Sequence, residues 1–383
     1  NTFKNIPMMY EEGKKHGLNH MFIASWNRGG FDTDYPEYYP DMDLGSAMDF
    51  VRGLEYVREH GGIPTLYINA RIFELGSDYA PTVGEKMAMK DVAGNNYIET
   101  YGIKSFTISC PSDQEWANRL LDTAEFLIKG YGTTGIYLDQ LASAEPFPCY
   151  QKEHSHRHIG EFNRGYLEVL AKLHDKIKKY GEDKFILTEN IGDIYSSYTF
   201  GNLTWNGPKY DEYFNIIKYI FPEFIQINMV NPKNVTDFSS SETKEFIDQM
   251  ERAIVLGSIL WFAPTRIKFD PTNEVIRYAY QALNFRSKLQ PLIKHAIYKD
   301  DIYFVNLNPK LRGSVFEDEN GYLIIIGNQH GMKEKVTVQV TGKLIEAKNF
   351  QLEDISQSVN ITTNGVVIQL TSNLAYIYIS KQR

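Results

Sequence analysis

Two acids in this chain stand where a parallel sheet could put them to work. Asp139 closes the run Gly135-Ile136-Tyr137-Leu138-Asp139-Gln140, and Glu189 closes Phe185-Ile186-Leu187-Thr188-Glu189-Asn190. In a parallel barrel the carboxyl ends of the strands converge on one face, so acids at those ends can meet. A pair of carboxylates suits glycoside cleavage. One, ionised, attacks the anomeric carbon; the other, protonated, serves the leaving group, about 5 Å away in a retaining enzyme. Burial and a neighbouring negative charge keep a proton on the acid near neutral pH. Asp193, shortly after Glu189, competes for the acid role. The plainer roles for these groups are a helix cap for Asp139 and a structural ion pair for Glu189.

Other strand ends carry groups that suit a hydroxyl-rich ligand, which needs flat aromatic surface and polar groups that bond in pairs. These are Trp26 with Asn27 and Arg28, Asn69 with Arg71, Gln140 beside Asp139, and Trp261. Asp193 joins them as a candidate substrate contact. The segment 32–41, rich in Tyr and Pro, reads as a loop over the mouth of the barrel. In His154-Ser155-His156-Arg157-His158 the alternating imidazoles could hold a divalent metal. The paired histidines of amidohydrolases lie at the end of the first strand, whereas these follow the Asp139 loop and open a helix. His156 is therefore assigned a substrate hydrogen bond, and no metal or cofactor is assigned. Cys110 and Cys149 are the only cysteines, too few for a disulfide scaffold or a Cys-based zinc site.

Positioning these residues calls for alternating strands and helices. Apolar runs at 20–26, 63–70, 135–139, 184–189, 213–219, 225–230 and 258–262 read as strands. Amphipathic stretches at 46–60, 113–130, 158–180, 241–256 and 273–289 read as helices, with Ser46, Asp113, Ser241 and Asn273 as N-caps. No Gly-rich phosphate loop follows the first strand, which favours a TIM-type (β/α)8 barrel over an open doubly wound sheet. Helix-like residues 3–16 open the chain, as though the first barrel strand lies upstream. Beyond residue 296 short alternating strands at 322–327, 335–340, 366–370 and 375–379 indicate an antiparallel β-sandwich. The expected division is a catalytic barrel at 1–296 and an accessory β-domain at 297–383.

Composition narrows the partners. A formal charge of −8 and no basic run with interleaved aromatics argue against nucleic acid. No apolar stretch approaches the roughly 18 residues that span a bilayer, and the first residues lack a signal-peptide pattern. The reading is a soluble chain, secreted or periplasmic if a leader was removed ahead of residue 1. The 26 Tyr and 22 Phe are abundant enough to supply both core and sugar-stacking surface.

With these residues in view, the chain resembles a little-characterised family of barrel proteins related to the retaining α-glycosidases, including the α-amylase, α-galactosidase and endo-α-N-acetylgalactosaminidase groups. The resemblance covers roughly residues 20–200. It rests on Gly-Phe-Asp then Tyr-Pro-Glu-Tyr within 30–38, Tyr-Ile-Asn-Ala-Arg at 67–71, Ser-Cys-Pro-Ser at 109–112, Gly-Ile-Tyr-Leu-Asp-Gln at 135–140, and Cys149 followed by the His cluster. It implies that Asp139 is the nucleophile and, as in the α-amylase-like members, that Glu189 is the acid/base. The chain departs from those groups in having Tyr137 where α-amylases carry Arg and Tyr-Leu where α-galactosidases carry Lys-Trp, so no sugar specificity is carried over. The expected function is retaining hydrolysis of an α-linked glycoside in an oligosaccharide or polysaccharide, with no cofactor. The alternatives are a non-catalytic carbohydrate-binding barrel and a metal-dependent hydrolase built on His154, His156 and His158.

Overall fold

A computed structural model describes residues 1–190, 192–205, 211–230, 235, 237–262, 272–341, 344–351, 359–363, 365–371 and 374–381. The chain forms two compact units, Asn1–Leu203 and Thr204–Arg383.

In the first unit the strands His20–Ile23, Ile63–Asn69, Gly135–Asp139, Phe185–Glu189 and the first three residues of Gly201–Trp205 lie side by side in chain order, each parallel to the next. Helices Ala47–Glu59, Gln114–Phe126 and Phe162–Lys178 connect successive strands, and Ile6–Lys15 precedes the first. Their starts follow from local chemistry. Ser46 and Asp49 form a reciprocal capping box, and Asp113 accepts the Trp116 amide at 2.9 Å. Between the second and third parallel strands the chain makes an antiparallel excursion, with Lys104–Ile108 paired to both Ile72–Glu74 and Ile98–Tyr101.

Near the amino ends of these strands the interior is filled tightly. Gly135 leaves room for Thr65 and Phe185, both of which a Cβ would meet within about 2.5 Å, and the His20 ring bonds Thr65 Oγ1 at 2.6 Å. Burial pushes the His20 imidazole down to about 4, so it stays neutral. At the carboxyl ends the filling side chains become polar. The register sets Tyr67 opposite Tyr137 and Asn69 opposite Asp139. Since alternate residues share a face, these four lie on one face of the sheet.

The second unit holds the parallel pair Gln226–Val230 and Ile259–Phe262 with helices Asp211–Ile220, Ser241–Val255 and Glu274–Ile293. A five-stranded and a four-stranded antiparallel sheet follow. Val315, Ile324, Ile326 and Ile377 from one sheet share a core with Val338, Val366 and Ile368 from the other. This is the expected sandwich.

Two expectations are corrected. Residues 213–219 form part of a helix, not a strand, and the fifth parallel strand is instead Gly201–Trp205. The aromatic and β-branched content of 213–219 suggested a strand, but the Lys218 ammonium closes the helix by donating to the Pro222 and Phe224 carbonyls at 2.8 and 2.7 Å. The cap of the Ser241–Val255 helix is Ser240 rather than Ser241, its hydroxyl accepting the Thr243 amide. No described helix is long and apolar enough to cross a membrane.

Candidate active site

The strand ends of the first unit gather one polar cluster around Asp139. Tyr67 donates its hydroxyl to Asp139 Oδ2 at 2.9 Å, and Asn69 Nδ2 reaches the same oxygen at 3.3 Å. Tyr137 bonds the carboxyl as well. The Tyr67 hydroxyl also accepts from Tyr35, at 3.1 Å, and Tyr35 in turn accepts the Asp32 amide at 2.9 Å. The 32–41 loop is thereby tied down onto the strand ends around Asp139 by buried Tyr35, and by Tyr38, whose hydroxyl accepts the Asn69 amide at 2.7 Å.

Glu189, on the adjacent strand, accepts the Gln140 amide at 3.1 Å and the Ser143 hydroxyl. The residue after each acid, Gln140 and Asn190, has a left-handed φ of 61° and 59°. This conformation is uncommon outside Gly and costs on the order of 1 kcal/mol. It turns the chain out of the sheet directly after the carboxylate, leaving the Gln140 N–H to serve Glu189 instead of a strand ladder.

Asp139 retains a partly open edge, but its carboxyl is enclosed. That enclosure first, and the negative charge of Glu189 second, push it up to about 8; the hydroxyls of Tyr67 and Tyr137 pull the other way. Asp32 is also raised by burial, and its charge reaches Asp139. Within this site an anionic Asp139 is thus costly while Glu189 is ionised. At neutral pH Asp139 therefore keeps its proton.

The remaining candidates fall in several places. Asn69 is fully committed: Oδ1 accepts the Arg71 and Ile72 amides, and Nδ2 donates to Asp139 and to Gln140 Oε1. Gln140 Nε2 donates to Tyr101 and Glu99, and Glu99 pairs with the buried Arg71 guanidinium. Asn69, Arg71 and Gln140 therefore belong to one network that fixes the strand end. Trp26, with no exposed surface, stacks on Phe50 at 5.2 Å and donates to the Tyr67 carbonyl. It packs and supports Tyr67, and it is not an open platform. Phe31, 48% exposed with its ring 4.8 Å from that of Tyr67, offers open aromatic surface.

Asp193 is exposed at the start of a short 3-10 helix and accepts the Ile194 amide. Trp261 is half-buried on its strand in the second unit. His156 lies with His154, Cys110 and Cys149, and His158, exposed on the surface, is outside that group. His156 also lines a polar groove with Ser112, Asp113, Arg157, Glu161 and Arg164, which neither Asp139 nor Glu189 borders.

Tyr67, Tyr137, Ser143, Glu99 and Tyr101 had no place among the candidates read from sequence. The signal for two of them was present. Tyr67 and Tyr137 each precede a singled-out residue, Asn69 or Asp139, by two positions, the spacing of a shared strand face.

Comparison with known proteins bears on this arrangement. A family model described as a domain of unknown function, DUF6259, matches residues 6–220. A Bacteroides thetaiotaomicron protein named "Putative glycoside hydrolase" is 25% identical over 364 residues, covering 88% of this chain and 51% of that protein. A Monosiga brevicollis protein named "Putative glycoside hydrolase 22789" is 32% identical over 185 residues, 45% of this chain and 15% of its own length. The chain thus spans about half of the first relative and a smaller part of the second.

Among solved structures, the acarbose complex of an α-amylase from Geobacillus thermoleovorans has a TM-score of 0.70 at 14% identity, covering 100% of this chain and 93% of its own. The cycloisomaltooligosaccharide glucanotransferase of a Paenibacillus species gives 0.74 at 9% identity, covering 98% and 83%. The α-N-acetylgalactosaminidase NagBb of Bifidobacterium bifidum gives 0.64 at 15%, covering 86% and 51%. At such identities the likeness shows the fold: a TIM-type barrel of parallel β/α units followed by an antiparallel β-domain.

Proposed function

The chain belongs to the DUF6259 family, and from that premise we propose that it hydrolyses an α-linked glycoside, within an oligosaccharide or polysaccharide, with retention of anomeric configuration. The observation that carries this reading is the pair Asp139 and Glu189, at the ends of adjacent parallel strands, with the charge of Glu189 helping to raise the Asp139 carboxyl. Double displacement needs two neighbouring carboxyls, one ionised and one protonated. Asp139 attacks the anomeric carbon as the glycosidic bond breaks, and the Glu189 proton passes to the leaving oxygen. Glu189 then takes a proton from water, whose oxygen displaces Asp139 and restores the free acid. The names of the relatives and of the structural neighbours agree with sugar chemistry of this class. No metal enters these steps. Tyr67 and Asn69, both directed at Asp139 Oδ2, orient that carboxylate, and Phe31 supplies the apolar face against which a sugar ring can rest.

One observation favours a second reading in which the roles are exchanged. The raised Asp139 carboxyl keeps its proton at neutral pH, as a general acid does. Rescue of alanine variants with azide separates the two on aryl α-glycosides. A nucleophile variant rescued by azide yields a glycosyl azide of inverted configuration, whereas an acid/base variant yields a retained one. Inversion with Asp139→Ala and retention with Glu189→Ala are expected. The opposite pattern exchanges the roles, full activity of both unrescued variants refutes the assignment of this carboxyl pair, and a folded wild type that cleaves no α-glycoside refutes the glycosidase reading.

A further inference from the structure

Outside the carboxylate site, the first unit assembles two cysteines and two histidines into one compact group. Cys110 follows the Lys104–Ile108 strand, while Cys149, His154 and His156 lie on the loop between the Gly135–Asp139 strand and the Phe162–Lys178 helix. One ligand atom from each lies within 4.8 Å of all the others. Both cysteines are buried and not disulfide-bonded, and His154 is buried as well.

The ring of His154 is oriented for coordination. Its Nε2 is 2.7 Å from the Lys86 carbonyl, an acceptor, so Nε2 carries the hydrogen and the Nδ1 lone pair faces Cys149 Sγ at 3.3 Å. Metal-bound histidines commonly donate their second ring nitrogen to a carbonyl in this way, which fixes the tautomer. The ring of His156 stands nearly perpendicular to that of His154, its centroid 5.9 Å away, and its Nε2 is buried with no hydrogen-bond partner. An orphaned imidazole nitrogen is costly unless something fills the space before it.

We propose that Cys110, Cys149, His154 and His156 bind one zinc ion as a closed structural site. Two thiolates and two imidazoles form a tetrahedral donor set suited to zinc, and hard cations such as calcium or magnesium would require oxygen ligands instead. Zn–S and Zn–N bonds of about 2.3 and 2.0 Å place ligand atoms about 3.3–3.8 Å apart. The Cys149–His154 separation already falls in that range, and the widest separation closes by about 1 Å on coordination. With four protein ligands no position remains for water, so the ion does no chemistry of its own. It fastens the loop that begins at Gln140, beside Asp139, to the segment bearing Lys86 and Cys110. Backbone bonds from Cys110 to Met87, from Tyr150 to Lys90 and from Cys149 to Ile159 already converge there.

The test is the metal content and cobalt spectrum of the whole purified chain. About one zinc per chain should persist through dialysis against metal-free buffer. Cys110→Ser and His156→Ala should each weaken zinc affinity about tenfold or more, while His158→Ala should leave it unchanged. Because the first two variants could lose folding as well as metal, wild-type protein exchanged with Co2+ gives an independent readout. Strong visible bands of a tetrahedral ion, with thiolate charge transfer in the near ultraviolet, support the site. A folded wild-type chain that holds no stoichiometric metal and titrates as two accessible thiols overturns it. So does a Cys110–Cys149 disulfide in the peptide map, or a weak cobalt spectrum without thiolate charge transfer.

Discussion

Replacing Asp139 with Asn should stabilise the first unit, and the gain should depend on pH in a way that only a buried, proton-retaining carboxyl produces. In the unfolded chain an aspartate releases its proton near 3.8; in the folded site burial and the Glu189 charge hold it to about 8. Between those two values the folded state binds more protons than the unfolded state. Whatever stability this carboxyl contributes is therefore complete below about pH 4 and is lost as the pH rises through 8, at about 1.4 kcal/mol per pH unit. At pH 7 the accumulated loss has an upper bound of about 4 kcal/mol. Asn escapes it while keeping the hydrogen bonds from Tyr67 and Asn69, because both donate to Oδ2 and an amide oxygen at that position accepts both.

Thermal unfolding of wild type and Asp139→Asn, followed by calorimetry at several pH values from about 4 to about 8, measures the difference. A unit of about 200 residues shifts by roughly 2–4 °C per kcal/mol, so the variant should melt several degrees higher at pH 7 and lose that advantage at pH 4. Glu189→Gln, by removing the second-largest cause, should shrink the advantage. Parallel melting curves across the whole pH range would mean that Asp139 ionises freely, and the account of a proton retained on Asp139 would fail.

Three further outcomes follow from the same geometry. On an aryl α-glycoside, kcat/KM should fall as the pH rises past about 8, where Asp139 loses its proton; a plateau running unbroken above that value would contradict the assignment. Tyr67→Phe removes a hydroxyl that holds Asp139 Oδ2 and pulls its carboxyl downward. It should lower kcat by about a hundredfold and move the upper limb of that profile to higher pH, and an unshifted limb would show that Tyr67 only packs. Gly135→Ala places a methyl 2.4 Å from Thr65 Oγ1 and 2.5 Å from the Phe185 ring, so it should cost about 1–3 kcal/mol in urea unfolding.

How far the sequence revealed the site depended on how far apart the cooperating residues lie. Asp139 and Glu189 could be recognised because each ends its own apolar strand, and adjacency of consecutive parallel strands supplied the rest. Trp26 shows the limit of that logic. A strand-end tryptophan suits both a sugar platform and a core, and only the stacked ring of Phe50, from the next helix, decides for the core. The run 213–219 was misread for a related reason: its composition favours a strand, while the carbonyls that Lys218 caps belong to residues beyond it.

The Cys/His group needed the fold itself. Counting cysteines alone excluded a zinc site, and the histidine spacing alone pointed to His154, His156 and His158. The loop after Asp139 instead folds back so that Cys149, His154 and His156 meet Cys110, leaving His158 outside. Both features begin at the same place. The left-handed turn at Gln140 sends the chain out of the sheet directly after Asp139, aims one amide at Glu189, and starts the loop whose far end carries three of the four soft ligands. A metal clamp there and a strained turn at the carboxylate would then act on one segment from its two ends. Loss of the ion should accordingly raise hydrogen exchange at 140–161 before it changes the strands, and uniform protection with and without metal would separate the two features.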